Sequence, residues 1–106
     1  MGRGLAGFGR FSEPALLILI SLADGPKHGY AVKDDVARTT GVRLGAGTLY
    51  GALARLERHG LIVPAGDDEY RRPYRLTEGG AAALRAQLGE LRDLAALGLG
   101  RLGVAP

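Results

Sequence analysis

The chain is 106 residues long, 46% apolar and 24% charged, with a formal net charge of +3, no cysteine and no tryptophan. That suffices for one small domain with a modest core, and it excludes a disulfide scaffold and a thiolate metal centre. Residues 1–76 hold 11 Lys/Arg against 8 Asp/Glu, whereas residues 77–106 hold 3 of each, so an anionic partner belongs to the first two-thirds.

Residues 1–11 are Gly-rich and basic, and read as a flexible arm. Ser12-Glu13-Pro14 predicts a helix start: Ser12 as cap, Glu13 at the positive end of the dipole, Pro14 in the first turn. Ala15 to Ala23 follows as a nearly all-apolar helix that must be buried on most sides. It is too short to span a bilayer, and Asp24-Gly25-Pro26 follows it where a cleavage site would stand, so neither a membrane anchor nor a signal peptide is expected.

His28-Gly29-Tyr30 opens a second helix that runs to Thr39 or Thr40 and stops at Gly41. Its stripe is Ala31, Val32, Val36 and Ala37, with Lys33, Asp34, Asp35 and Arg38 outward. Val42-Arg43-Leu44 reads as an extended link, a candidate rung of a small sheet. The third helix covers Ala46 to His59 and ends at Gly60. Leu49, Leu53 and Leu56 recur at i, i+4 and i+7, with Ala52 at their edge. Gly47, Gly51, Ala54 and Arg58 point the opposite way, flanked by Thr48, Arg55 and Tyr50. Small residues admit a close neighbour, and the arginines select an anionic one.

Leu61 to Ala65 reads as a strand, Gly66 to Glu69 as a turn, and Tyr70 to Leu76 as the return strand, confined to a sheet edge by Pro73. Thr77 caps a last helix from Glu78. Leu84, Leu88, Leu91 and Ala95 form its seam, widened by Leu94 and Leu97; Gly98, Gly100 and Gly103 are expected to dissolve its end.

Three helices and a hairpin make a winged helix-turn-helix, a mainly helical α+β fold whose third helix enters the DNA major groove. Thr48 and Tyr50 offer hydroxyls, and Arg55 and Arg58 reach phosphate or a guanine edge. Tyr30 either touches phosphate or packs the helix pair. Arg71, Arg72 and Arg75 form the densest basic cluster, suited to phosphate contact by the wing or to solvated strand charge. Asp67-Asp68-Glu69 reads as a solvated turn, and neither His28 nor His59 has a partner at metal or catalytic spacing. Neither metal, cofactor nor enzyme activity is expected. The last helix carries more leucine than one protomer's core needs, which assigns Leu84, Leu88, Leu91, Leu94 and Ala95 to a dimer interface or to an intramolecular strap.

The set Pro14 to Leu22, Gly25-Pro26, His28-Gly29-Tyr30, Gly47-Thr48-Leu49-Tyr50, Ala52-Leu53, Arg55-Leu56-Glu57, Gly60-Leu61-Ile62 and Tyr74-Arg75-Leu76-Thr77 resembles the PadR-like transcriptional regulators over residues 12–80. The resemblance implies a cytoplasmic homodimer that binds double-stranded DNA, usually a repressor released by a small hydrophobic ligand. It carries DNA contact to Tyr30, Thr48, Tyr50, Arg55 and Arg72, and resembles the compact branch with a single C-terminal helix. The expected organisation is an arm (1–11), a DNA-binding domain (12–76) and a dimerisation helix with its tail (77–106). The alternative is a winged-helix module that binds protein through the same third helix.

Overall fold

An almost wholly apolar helix is stable only where other elements cover it, and the fold is built around one. In the computed structural model, which describes residues 13–66 and 72–104, α1 (Pro14–Leu22) packs against every other helix and the second strand. Leu16, Leu17, Ile18, Leu19 and Leu22 are buried, and only Ile20 faces out as a large exposed side chain of this helix. The expected arm and Ser12 lie outside the described residues. The cap position is Glu13, which makes no side-chain capping bond, so Pro14, with no N–H to satisfy, opens the helix.

Gly25, at φ +144°, turns the chain out of α1. The Lys27 ammonium donates to the Ser21 carbonyl and to the Asp24 carboxylate, tying the turn to the end of α1. That hydrogen bond and the lysine charge hold the Asp24 carboxyl below the usual carboxylate range. The second helix, α2 (Gly29–Thr40), buries Val32 and Val36 and ends at Gly41, a left-handed residue at φ 78° whose N–H returns to the Ala37 carbonyl. Asp35 corrects the outward face expected of it. It is only partly exposed, accepts the Ser21 hydroxyl at 2.7 Å and pairs with Arg38 at 2.9 Å. A polar group taken into the α1–α2 contact is thereby satisfied.

The link to α3 (Ala46–Arg58) is pinned by buried Leu44. Val42 to Leu44 forms no rung of the sheet, contrary to the candidate ladder. The bridge instead comes from Lys27, which exchanges both backbone bonds with Tyr74, at 3.0 and 2.9 Å. Leu49, Ala52, Leu53 and Leu56 are buried, as their spacing requires. At the far end Gly60 takes φ 74°, its N–H bonds to the Glu57 carbonyl, and the Leu61 N–H returns to Leu56.

Among the described residues the paired strands are shorter than the alternation indicates. Strands β1 (Ile62–Pro64) and β2 (Tyr74–Leu76) pair antiparallel, Ile62 opposite Leu76 and Pro64 opposite Tyr74. Tyr70, Arg71 and the acidic turn lie outside the described residues. Pro64 is tolerated because Tyr74 spends its own N–H and carbonyl on Lys27.

Thr77 caps α4 (Glu78–Arg101), as expected. Its hydroxyl accepts from the Gly80 N–H at 2.9 Å and donates to the Gly60 carbonyl at 2.7 Å. A Cβ on Gly80 would stand 1.9 Å from the Leu61 carbonyl oxygen, so glycine alone lets the first turn of α4 press on the start of the wing. Gly98 and Gly100 do not dissolve this helix; it continues to Arg101 and turns at Gly103, φ 80°. No helix among the described residues is long and apolar enough to cross a membrane.

Candidate nucleic-acid interface

The four buried positions of α3 leave the rest of that helix in solvent. Gly47, Thr48, Tyr50, Gly51, Ala54, Arg55 and Arg58 are all exposed. No side chain caps the N-terminus at Gly45, so the first N–H groups of α3 are open to an acceptor. A Cβ at Gly47 or Gly51 would meet nothing within 4 Å, which makes the middle of this face a smooth strip of backbone. Arg55 and Arg58 flank its last turn, where the helix dipole also favours a cation, and neither has an ion-pair partner among the described residues.

Tyr30 is 72% exposed, which removes the alternative of a core tyrosine packing the helix pair. Its ring stacks on that of His28, with centroids 6.3 Å apart and planes at 15°. The pair stands at the entrance to α2 with the phenol in water.

Tyr50 is placed differently from a free hydroxyl donor. A Cβ on Gly29 would lie 2.8 Å from the Tyr50 Cε1 atom and 2.9 Å from its hydroxyl oxygen. The ring therefore lies directly on the backbone of the first turn of α2. Gly29 is buried, while Tyr50 keeps 52% of its surface in solvent. Sequence spacing gave no sign of this contact, since the two residues belong to different helices.

The wing closes the other side. Burial pushes the Tyr74 phenol above its ordinary pKa of 10.0, the neighbouring Glu57 carboxylate and Tyr50 raise it further, and Arg72 opposes them. Glu57, Tyr50 and Arg72 thus each act electrostatically on the Tyr74 phenol. Glu57 is a carboxylate whose effect on Tyr74 no spacing in the sequence signals. Arg72 is exposed and without an ion-pair partner among the described residues; Arg75 is exposed and donates weakly to the Leu76 carbonyl at 3.3 Å. Arg71 lies outside the described residues.

Of the candidate residues, Tyr30, Thr48, Tyr50, Arg55, Arg58, Arg72 and Arg75 are exposed, on α2, α3 and beside or in the wing. The residues assigned to a dimer divide. Leu84 is buried in the protomer's own core and Leu91 is half-buried against it, whereas Leu88, Leu94 and Ala95 are exposed.

Comparison with known proteins bears on what such a surface is for. The model of the transcriptional regulator PadR-like family matches residues 18–86. A transcriptional regulator of Mycobacterium tuberculosis is 41% identical over 83 residues, which cover 76% of this chain and 77% of that protein. An uncharacterized protein in a transposon of Streptomyces fradiae is 44% identical over 78 residues; these are 74% of this chain but only 23% of that protein. The chain therefore spans about a quarter of the length of the transposon protein. Among solved structures, a PadR family transcriptional regulator from Eggerthella lenta superposes with a TM-score of 0.74 at 29% identity, over 94% of this chain and 89% of that one.

Proposed function

The chain belongs to the PadR-like family of transcriptional regulators, and on that footing we propose that it is a homodimeric repressor that binds operator DNA through α3 and the wing. The observation that carries this reading is the outward face of α3: small residues along its centre, hydroxyls and arginines at its edges, exposed throughout. Gly47, Gly51 and Ala54 provide clearance for a groove wall; Thr48, Arg55 and Arg58 provide contacts; Tyr30 and Arg72 hold the phosphates to either side. Residues 12–76 act as the DNA-binding unit and 77–106 as the dimerisation unit.

Repression needs only that the dimer occupy promoter DNA in the cytoplasm. Release is assigned to a small hydrophobic ligand at the seam between two copies of α4. Leucine and alanine line that seam, and the chain has no tryptophan to stack on a planar drug.

Fluorescence anisotropy on the chain's own promoter region, repeated across a salt series, tests the reading. With about 4–8 phosphates neutralised per dimer, the log–log slope falls near −4 to −7. Arg72→Ala weakens binding to all sequences about equally, whereas Arg55→Ala changes the preference between specific and scrambled DNA. A salt response that is flat in the wild-type chain would sink the proposal.

A further inference from the structure

Between α2 and the link into α3 lies an open depression of about 960 Å³, which shares only Tyr30 with the contacts above. Tyr30, Lys33 and Ala37, at i, i+3 and i+7, line it from one side of α2; Arg43, Leu44 and Gly45 line it from the link into α3. Leu44 is buried, so the backbone that carries Arg43 is anchored in the core and its guanidinium is presented from a fixed point.

We propose that this depression seats the sugar-phosphate backbone of the operator, with Lys33 and Arg43 as phosphate contacts additional to those of α3 and the wing. The proposal rests on the DNA-binding reading above. Lys33 and Arg43 are exposed, and neither has an ion-pair partner among the described residues. Arg38, on the same rim, is committed to Asp35 and adds little free charge. Asp34 is also on the rim, exposed and unpaired among the described residues, and opposes an incoming phosphate.

The shape favours a polymer backbone over a small effector. A small-molecule site encloses most of its ligand behind apolar walls. Here the lining is open to water, its four cationic side chains outnumber the two carboxylates of Asp34 and Asp35, and the depression reaches from the start of α2 to Gly45, the residue before α3. Such contacts position the protein and carry no base information.

Lys33→Ala and Arg43→Ala test this, each measured by anisotropy on specific and scrambled DNA across the salt series. Each substitution should make the log–log slope shallower by about 1 per protomer and weaken both DNAs alike. Asp34→Asn should tighten both alike. Because all three residues are exposed, circular dichroism should match the wild type, which keeps folding out of the readout. Unchanged slopes in Lys33→Ala and Arg43→Ala, while Arg72→Ala still weakens binding, would overturn the proposal and leave the DNA-binding reading intact. If the two substitutions abolish only a thermal shift caused by inorganic phosphate, the depression is a small-anion site and the proposal fails. Loss of DNA binding in the wild-type chain itself would remove the reading on which both rest.

Discussion

At the scale of the residue, the contact that sets the interface involves a side chain that does not exist. Gly29 is buried, and the Tyr50 ring occupies the space a Cβ would need. It opens α2 with no positive φ, so alanine is conformationally acceptable there. The ring must move in return, and it has open solvent to move into. Gly29→Ala should therefore leave the melting temperature within a few degrees of the wild type. It should cut DNA affinity at least severalfold, because the displaced ring no longer holds α3 against α2. Tyr50→Phe, which keeps the ring, should bind nearly as well as the wild type. Thermal denaturation beside anisotropy decides it, and full DNA affinity in Gly29→Ala would show that the ring contact is irrelevant. The place of Tyr50 on α3 suggests a hydroxyl donor. What the sequence conceals is a packing partner 21 positions upstream, since periodicity reports the face of one helix and not what lies over it. The pairing of Lys33 with Arg43 is hidden for the same reason: the turn at Gly41 brings their walls together.

At the scale of the element, the third helix was the most legible part of the chain. Leu49, Leu53 and Leu56 announced its buried stripe, and Gly60 its end. The outward face holds a helix-interior glycine, Gly51, where a methyl group would meet nothing within 4 Å and no positive φ demands glycine. Glycine there costs about 0.5–1 kcal/mol relative to alanine. Gly51→Ala should thus stabilise the free protein by that amount, raising the melting temperature by about 2–8 °C. If α3 lies in a groove, the same methyl should weaken DNA binding. A stabilised variant with undiminished affinity would mean that the strip does not approach DNA closely. The wing and the last helix were less legible. Alternation from Tyr70 to Leu76 suggests a long return strand, but among the described residues β2 begins at Tyr74, which stands opposite Pro64 of β1 and exchanges its own backbone bonds with Lys27. That exchange depends on the turn at Gly25, outside any window that contains the hairpin. The glycines of α4 read as an ending because propensity counts against them, yet Gly98 and Gly100 remain helical.

At the scale of the whole molecule, the continuation of α4 through those glycines bears on the proposed dimer. The molecule measures 52 × 28 × 20 Å, and α4, at 24 residues, is about 36 Å long. Its first half is held by Gly80, Leu84 and Leu91; every residue from Arg92 to Val104 is exposed. A helical stretch of that length with two glycines is marginal in water unless something packs on it. Leu94 at 64% exposed and Leu102 at 79%, together with Leu88, Leu97, Leu99 and Val104, leave six large apolar side chains along α4 and its end in water. A second copy offers the same surface, and two-fold packing of identical helices covers both at once. Each leucine so buried contributes about 1.5–3 kcal/mol, so losing two of them, and burying charge in their place, should exceed what a dimer of standard size can spare. On the proposed homodimer, light scattering at one concentration should find the wild-type chain dimeric and the double variant Leu94→Glu with Leu102→Glu monomeric. Leu84 and the rest of the protomer core are untouched, so the winged-helix portion should stay folded by circular dichroism. Twin half-sites are bound cooperatively only by a linked pair, so operator affinity should fall at least tenfold while affinity for scrambled DNA changes much less. A double variant that still elutes as a dimer would place the subunit contact elsewhere on the molecule, with exposed Ile20 of α1 the next position to probe.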